Sequence, residues 1–337
     1  MSEAHDPAKL QDYHVHNITY KVVAGHNIEL SIVVPKALVD KGVKVSKKFP
    51  IIAEFHGGAL VSGSRLYSPW LSTWLLELAQ LKGAILISPD YRLLPEANGL
   101  DVLEDLASFW SWYSEQFEST LANLYPGLNI QPHFDQLLIH GGSAGGYLAA
   151  QSVLLHPEVN AKAVIMSYPM IDLRDEWWWK DFERPVFGMA ENVSHAPGVP
   201  IDVFEQHVKN MTPGTVVSSD GAPDRAVALS RLPLALSIIQ HGKFLEYYGD
   251  DTKLFPLENL PRVHKLPPFV WVMHGKQDCL VPFKESELLV KEIQKHHPDA
   301  NLRFDAHDGD HGFDNQAGIS ISSGWMKEGA AELLKHW

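Results

Sequence analysis

Gly141-Gly142-Ser143-Ala144-Gly145 sets one serine among glycines, after an apolar run and before a stretch of small and apolar residues. The pattern fits G-x-S-x-G, in which a serine stands on a sharp turn from strand to helix with its hydroxyl held outward. Such a turn strains the backbone, and Gly141 and Gly145 remove side chains that would collide there. The helix that follows offers unpaired N–H groups and the positive end of its dipole to developing negative charge. Those are the parts a nucleophilic serine needs for acyl transfer. A second stretch supplies the complement. Phe55-His56-Gly57-Gly58 closes another apolar run and continues as Ala59-Leu60-Val61-Ser62. Acyl transfer needs donors aimed at an oxyanion, and a glycine-rich loop lets backbone N–H groups point into a cavity. Gly57, Gly58 and Ala59 are the candidates, with the N–H of Ala144 completing the hole. Taken singly, either stretch is also what an ordinary glycine-rich turn contains.

Elements must bring these loops together. "NIELSIVVP", "FPIIAEFHGG", "AILISPDYR", "DQLLIHGGS", "AKAVIMSYP", "PPFVWVMHGKQD" and "NLRFDAHDG" read as strands. "WLLELAQLKG", "DVLEDLASFWSWYSEQF", "GGYLAAQSVLLH", "ESELLVKEIQKHH" and "GWMKEGAAELLKHW" read as helices, the first closing on Gly83 as a C-cap. Strands alternating with helices imply an α/β protein, a mostly parallel sheet covered on both faces. Residues from about 173 to 264 break the alternation. This stretch opens with Trp177-Trp178-Trp179, is rich in Pro and Gly, and carries the helical "ALSRLPLALSIIQHGKFLEYY". It reads as an insertion within one domain of 337 residues, a lid over a pocket. Three consecutive indoles cannot share one helix face, so at least one belongs to the core and another is a candidate pocket wall.

Composition bounds the rest. The chain is 45% hydrophobic and 20% charged, enough for a large core. A formal net charge of −13 argues against nucleic acid as a partner, since phosphate binding needs a basic face. No apolar run reaches the ~18 residues of a membrane span. The start of the chain lacks the basic and apolar regions of a signal peptide, and Cys279 is the single cysteine, so a cytoplasmic protein without disulfides is expected. On that ground the three N-x-S/T sites at Asn17, Asn192 and Asn210 are chance matches. Eighteen histidines show no metal-binding spacing, and no metal or organic cofactor is expected.

Three motifs together resemble the hormone-sensitive-lipase-like carboxylesterases of the α/β-hydrolase fold. The family's oxyanion motif HGGG reads His56-Gly57-Gly58-Ala59 here. Its D-Y-R-L-A-P-E segment reads Asp90-Tyr91-Arg92-Leu93-Leu94-Pro95-Glu96, and its G-D-S-A-G-G reads Gly141-Gly142-Ser143-Ala144-Gly145-Gly146. The resemblance runs from about residue 49 to the C-terminus. It implies the α/β-hydrolase fold with a cap and a triad in the order serine, acid, histidine. Asp278, just past a late apolar run, fills the place of the acid. His311 in "DGDHGF" fills that of the histidine. Ser143, His311 and Asp278 would then act as nucleophile, general base and imidazole-orienting carboxylate. His274, His307, Asp308 and Asp310 are rivals, of which His274 reads as packing. Asp90 and Arg92 read as structural, an ion pair or hydrogen-bond bracket for the oxyanion loop.

The chain departs from the pattern in three places. Ala59 stands where a third glycine is usual, and its Cβ would narrow the site or tilt the loop. Gly142 replaces an acidic residue. Ser143 and Asp278 are 135 positions apart, more than the family suggests, with the excess in the lid. The reading is a serine hydrolase for an ester, or a thioester, of a hydrophobic small molecule. Alternatives are an arylformamidase or amidase, a trans-acylase, and a non-catalytic small-molecule receptor on the same scaffold. The receptor reading is weakened because His311, Ser143 and Asp278 are all present. A homodimer is left open.

Overall fold

A computed structural model describes residues 7–39, 47–181, 198–221 and 229–337. Eight strands form one sheet in the order β1-β2-β4-β3-β5-β6-β7-β8. They are β1 (Tyr13–Val23), β2 (His26–Pro35), β3 (Lys47–Phe55), β4 (Ile85–Pro89), β5 (Ile130–Gly142), β6 (Ala163–Ser167), β7 (Phe269–Gly275) and β8 (Leu302–His307). β1 and β2 form an antiparallel hairpin, and β2 also runs antiparallel to β4. The six strands from β4 to β8 are parallel.

The apolar runs bury both faces of this sheet, and strand periodicity sorts their side chains. Ile51, Ala53 and Phe55 of β3, Leu137 and Ile139 of β5, and Val270 and Val272 of β7 enter one core. Ile52, Leu138, Phe269, Trp271 and Met273 enter the other. Helices Gly99–Glu115, Ala144–Leu155 and Phe283–His296 pack on the first face. Helices Thr73–Lys82 and Gly324–Leu333 pack on the second. Gly83 ends helix Thr73–Lys82 in the left-handed conformation, φ 63°, as its position implies.

Two readings change. β1 was not anticipated. Its alternation is weak because it is a half-exposed edge strand in which only Tyr13 is buried. The helical run near 228–248 divides into Leu232–Gln240 and Phe244–Tyr248, separated at Gly242 with φ 62°. Between β6 and β7 the described chain is short helices and loops: Glu176–Trp179, Ile201–Asn210, Leu232–Gln240, Phe244–Tyr248 and Pro256–Asn259. Asn192 lies outside the described residues. Trp178 is fully buried and donates its indole N–H to Glu285 at 2.8 Å. Trp179 is 47% exposed, and Trp177 donates to the Leu280 carbonyl at 2.7 Å.

Candidate active site

Ser143 follows β5, Asp278 follows β7, His311 follows β8 and the His56-Gly57-Gly58 loop follows β3. All four lie past the carboxyl ends of parallel strands, where open α/β sheets bind ligands. The topology therefore gathers residues up to 255 positions apart.

Ser143 sits at φ 59°, ψ −121°, directly before helix Ala144–Leu155. A non-glycine residue there is strained, and the surroundings must hold it. Its N–H donates to the Ser167 carbonyl at 2.9 Å, and its own carbonyl accepts from Tyr147 and Met170. A Cβ on Gly145 would come within 1.9 Å of the Phe55 carbonyl, and one on Gly141 within 2.1 Å of the Gly145 carbonyl. Gly145 is thus small because β3 presses on the elbow, a contact that local sequence cannot reveal. Gly142 has a similar reason: a Cβ there would lie 3.0 Å from the Tyr168 hydroxyl. Tyr168 occupies the space beside Gly142, itself at φ 38°.

Tyr168 also packs on His311, the ring centroids 4.5 Å apart. His311 Nδ1 lies 2.8 Å from Asp278 Oδ2. Asp278 Oδ1 accepts the N–H groups of Leu280 and Val281, both at 2.8 Å. Burial pushes the Asp278 carboxyl up, but the charges and hydrogen bonds of His311 and His274 outweigh it and hold it well below the usual range. Asp278 stays ionised and can only accept, so Nδ1 of His311 donates the proton in that bond.

The rivals take other places. His274 is fully buried on β7, with Nε2 at 3.2 Å from Asp278 Oδ2 and 3.1 Å from the Val281 carbonyl. It is therefore a second imidazole on Asp278, held by Ser286 at 2.7 Å, beyond the packing role expected for it. Asp310 accepts from the N–H groups of Cys279 and His311 and ties the two loops together. Asp308 is exposed, and His307 stacks on Trp325 at 4.2 Å.

The candidate oxyanion loop, from His56 to Arg65, folds tightly. Gly58 has φ 102°, and a Cβ there would lie 2.1 Å from the Ser62 carbonyl. Gly57 lies against Ser143, its added Cβ 3.4 Å from Ser143 Cβ. Ala59 and Leu60 both adopt left-handed conformations, φ 56° and 60°. Ala59 is accommodated by strain rather than by tilting out, for it remains 7% exposed. His56 donates from Nδ1 to the Gly57 carbonyl at 2.8 Å and stacks on Tyr91 at 4.3 Å. Burial lowers its pKa to about 4, so it is neutral.

Asp90 and Arg92 divide the bracket expected of them. Asp90 accepts from the backbone N–H and the guanidinium of Arg65, at the end of the loop. Arg92 turns the other way, to Asp101, Glu104 and buried Asp105. The two do not pair with each other; each finds separate partners. Arg65 gave no sequence signal, being a lone arginine in a loop.

A cavity of about 420 Å³ is lined by Val203, His207, Val217, Asp220, Arg231 and Leu234, among others. None of the three consecutive tryptophans lines it. Among the described residues no group of His, Cys, Asp and Glu is arranged to hold a metal ion, and no helix is long and apolar enough to cross a membrane.

Residues 52–239, more than half the chain, match the model of a family described as having the alpha/beta hydrolase fold. The chain is 31% identical over 321 residues to the probable carboxylesterase M8 of Phoma sp., covering 94% of each. It is 32% identical over 215 residues to the probable carboxylesterase clz11 of Cochliobolus lunatus, covering 63% of this chain and 92% of that one. Among solved structures, a fungal esterase from Rhizomucor miehei superposes with a TM-score of 0.60 at 21% identity, covering 100% of this chain and 87% of the other. At that identity the likeness is one of fold.

Proposed function

We propose that this chain, which belongs to the α/β-hydrolase fold family, is a serine hydrolase that cleaves carboxylic esters through an acyl-enzyme on Ser143. The observation that carries the reading is the 2.8 Å contact from Asp278 to His311, together with a serine held at φ 59° against the Gly57 turn and Tyr168 packed between Gly142 and the His311 ring. The two carboxylesterase relatives support the same activity.

The chemistry follows from the parts. His311 Nε2 takes the proton of the Ser143 hydroxyl as its oxygen attacks the ester carbonyl. The carbonyl π pair moves to oxygen, and N–H groups of the Gly57-Gly58-Ala59 turn and of Ala144 receive that oxyanion. Asp278 stabilises the imidazolium. The tetrahedral intermediate collapses, the C–O bond to the leaving group breaks, and the alcohol departs with the proton from His311. Water, deprotonated by the same imidazole, then attacks the acyl-enzyme and releases the acid and free serine.

The stretch from about 173 to 264 acts as the cap in this reading. This stretch lines the cavity of about 420 Å³, which none of Ser143, His311, Gly57, Gly58 and Ala59 lines, so the cavity does not set the size or polarity of the ester.

Intact mass after exposure to a fluorophosphonate tests the nucleophile. One adduct on the wild type and none on Ser143→Ala, with ester turnover lost in the variant, is the expected result. Full ester turnover by a folded Ser143→Ala protein would refute the mechanism.

A further inference from the structure

The oxyanion loop is held in its strained shape from outside the sheet, by two residues of the stretch between β6 and β7. Asp220 is 3% exposed, and its carboxylate accepts four hydrogen bonds. Oδ2 takes the Ser62 hydroxyl at 2.8 Å and the Arg231 N–H at 2.8 Å. Oδ1 takes the N–H and the hydroxyl of Ser230 at 3.0 and 2.7 Å. The Asp220 N–H donates to the Gly63 carbonyl at 2.9 Å. Asp220 therefore grips the oxyanion loop at two consecutive residues.

Those two residues touch the candidate oxyanion donors. The N–H groups of Val61 and Ser62 both donate to the Gly58 carbonyl at 2.9 Å. A Cβ on Gly63 would lie 2.8 Å from the Gly57 carbonyl. Ser62 and Gly63 thus form the back of the turn whose front is Gly57 and Gly58. Arg231 completes the grip. Its Nε donates to the Val61 carbonyl at 2.8 Å, and one terminal nitrogen donates to the Leu94 carbonyl at 2.7 Å. The Leu94 N–H in turn donates to the Leu60 carbonyl at 2.8 Å. Glu96, buried beside it, fixes the guanidinium through both terminal nitrogens.

Two adjacent non-glycine residues in left-handed conformations, Ala59 and Leu60, persist only where the surroundings over-determine them. Core packing buries both residues, and Arg65 at the end of the loop is tied to Asp90 and to Ser31 and Glu29 of β2. Asp220 and Arg231 add a second hold from the stretch between β6 and β7. An oxyanion hole works through donors fixed before charge develops, so a loop free to relax would lose transition-state stabilisation before it lost substrate affinity.

We propose that Asp220, seconded by Arg231, is a positioning residue for the oxyanion hole. The cap stretch is therefore part of the catalytic apparatus and not only a cover. The proposal rests on the serine-hydrolase reading above, and its test is separable from it.

The experiment measures kcat and KM for p-nitrophenyl acetate and butyrate, with thermal unfolding, on the full chain and on Asp220→Ala, Asp220→Asn, Ser62→Ala and the Asp220→Ala/Ser62→Ala double variant. Asp220→Ala is expected to lower kcat about 100-fold, the scale of a lost oxyanion donor, while KM stays within about threefold. Asp220→Asn keeps one acceptor oxygen and should fall between the two. The double variant should be no worse than Asp220→Ala, because Ser62 and Asp220 act through one hydrogen bond. Affinity for a trifluoromethyl ketone, whose adduct carries the oxyanion, should fall with kcat. A folded Asp220→Ala protein with wild-type kcat overturns the proposal, as does a loss that falls on KM alone. If Asp220→Ala does not fold, the folded Asp220→Asn and Ser62→Ala proteins decide, and wild-type kcat in both overturns it. A wild type that neither turns over esters nor takes a fluorophosphonate would instead overturn the serine-hydrolase reading.

Discussion

Asp278→Asn isolates the acid of the proposed triad. Oδ1 of Asp278 accepts two backbone N–H groups, from Leu280 and Val281, both at 2.8 Å. An asparagine must keep its carbonyl oxygen there, since its NH2 cannot accept. The NH2 then faces His311 Nδ1, which sits 2.8 Å from the present Oδ2. His311 can meet that donor only as the tautomer with Nδ1 bare and the proton on Nε2. In that form it presents a donor to Ser143 where the mechanism needs an acceptor. The amide would also oppose His274 Nε2, now 3.2 Å from Oδ2. A wrong tautomer in an otherwise intact triad costs about 10⁴ in kcat. That is about 5 kcal/mol of barrier at ~1.4 kcal/mol per decade. The assay is kcat and KM on p-nitrophenyl butyrate at pH 7, with thermal unfolding to check the fold. A well-folded Asp278→Asn protein within tenfold of wild-type kcat would refute the tautomer argument and the role given to Asp278.

Other outcomes follow from burial and charge. Glu54 is fully enclosed, and burial raises its carboxyl from 4.5 to about 7 against the pull of the Ser88 hydroxyl. The folded chain therefore holds a proton that the unfolded chain has lost between those values, and stability should fall by about 3 kcal/mol as pH rises through that window. Glu54→Gln removes the dependence. The wild-type-minus-variant difference in unfolding free energy between pH 5 and 8 measures it, and equal slopes would defeat the assignment. Arg92→Ala strips buried Asp105 of its guanidinium and leaves it Lys21, at 2.7 Å, and the backbone N–H of residue 92, at 2.8 Å. It should cost about 3 kcal/mol in chemical denaturation. Because Arg92 faces away from the oxyanion loop, kcat of the folded variant should stay within a few-fold of wild type.

Much of this molecule was legible in the chain itself. Apolar runs of strand length ending in Gly57-Gly58 and Gly141-Gly142 announced buried parallel strands with tight turns past their ends. Gly83 marked a helix end for a local reason, its left-handed φ. Ser143 and its flanking glycines were readable because an elbow is a property of five consecutive residues. Asp278 and His311 were proposed through motif order. Their contact with each other is a product of β7 and β8 lying side by side.

What the chain could not show depends on residues distant in sequence. β1 hid because an edge strand buries too little to alternate clearly. Gly142 looked like a lost acid until Tyr168, 26 positions on, was seen filling its space. His274 looked like packing because only the fold sets it against Asp278. Asp90 and Arg92 share one motif yet serve different partners, because facing helices and loops, not neighbours in sequence, decide where a buried charge finds its counterion. Asp220 carries no signal at all: its meaning comes from a loop 158 residues earlier that arrives beside it only when the sheet has formed. Local sequence determines which backbone shapes are allowed and which faces are apolar. Pairing of buried polar groups is set by tertiary contact, since desolvation makes each such group require a partner without specifying where in the chain that partner lies.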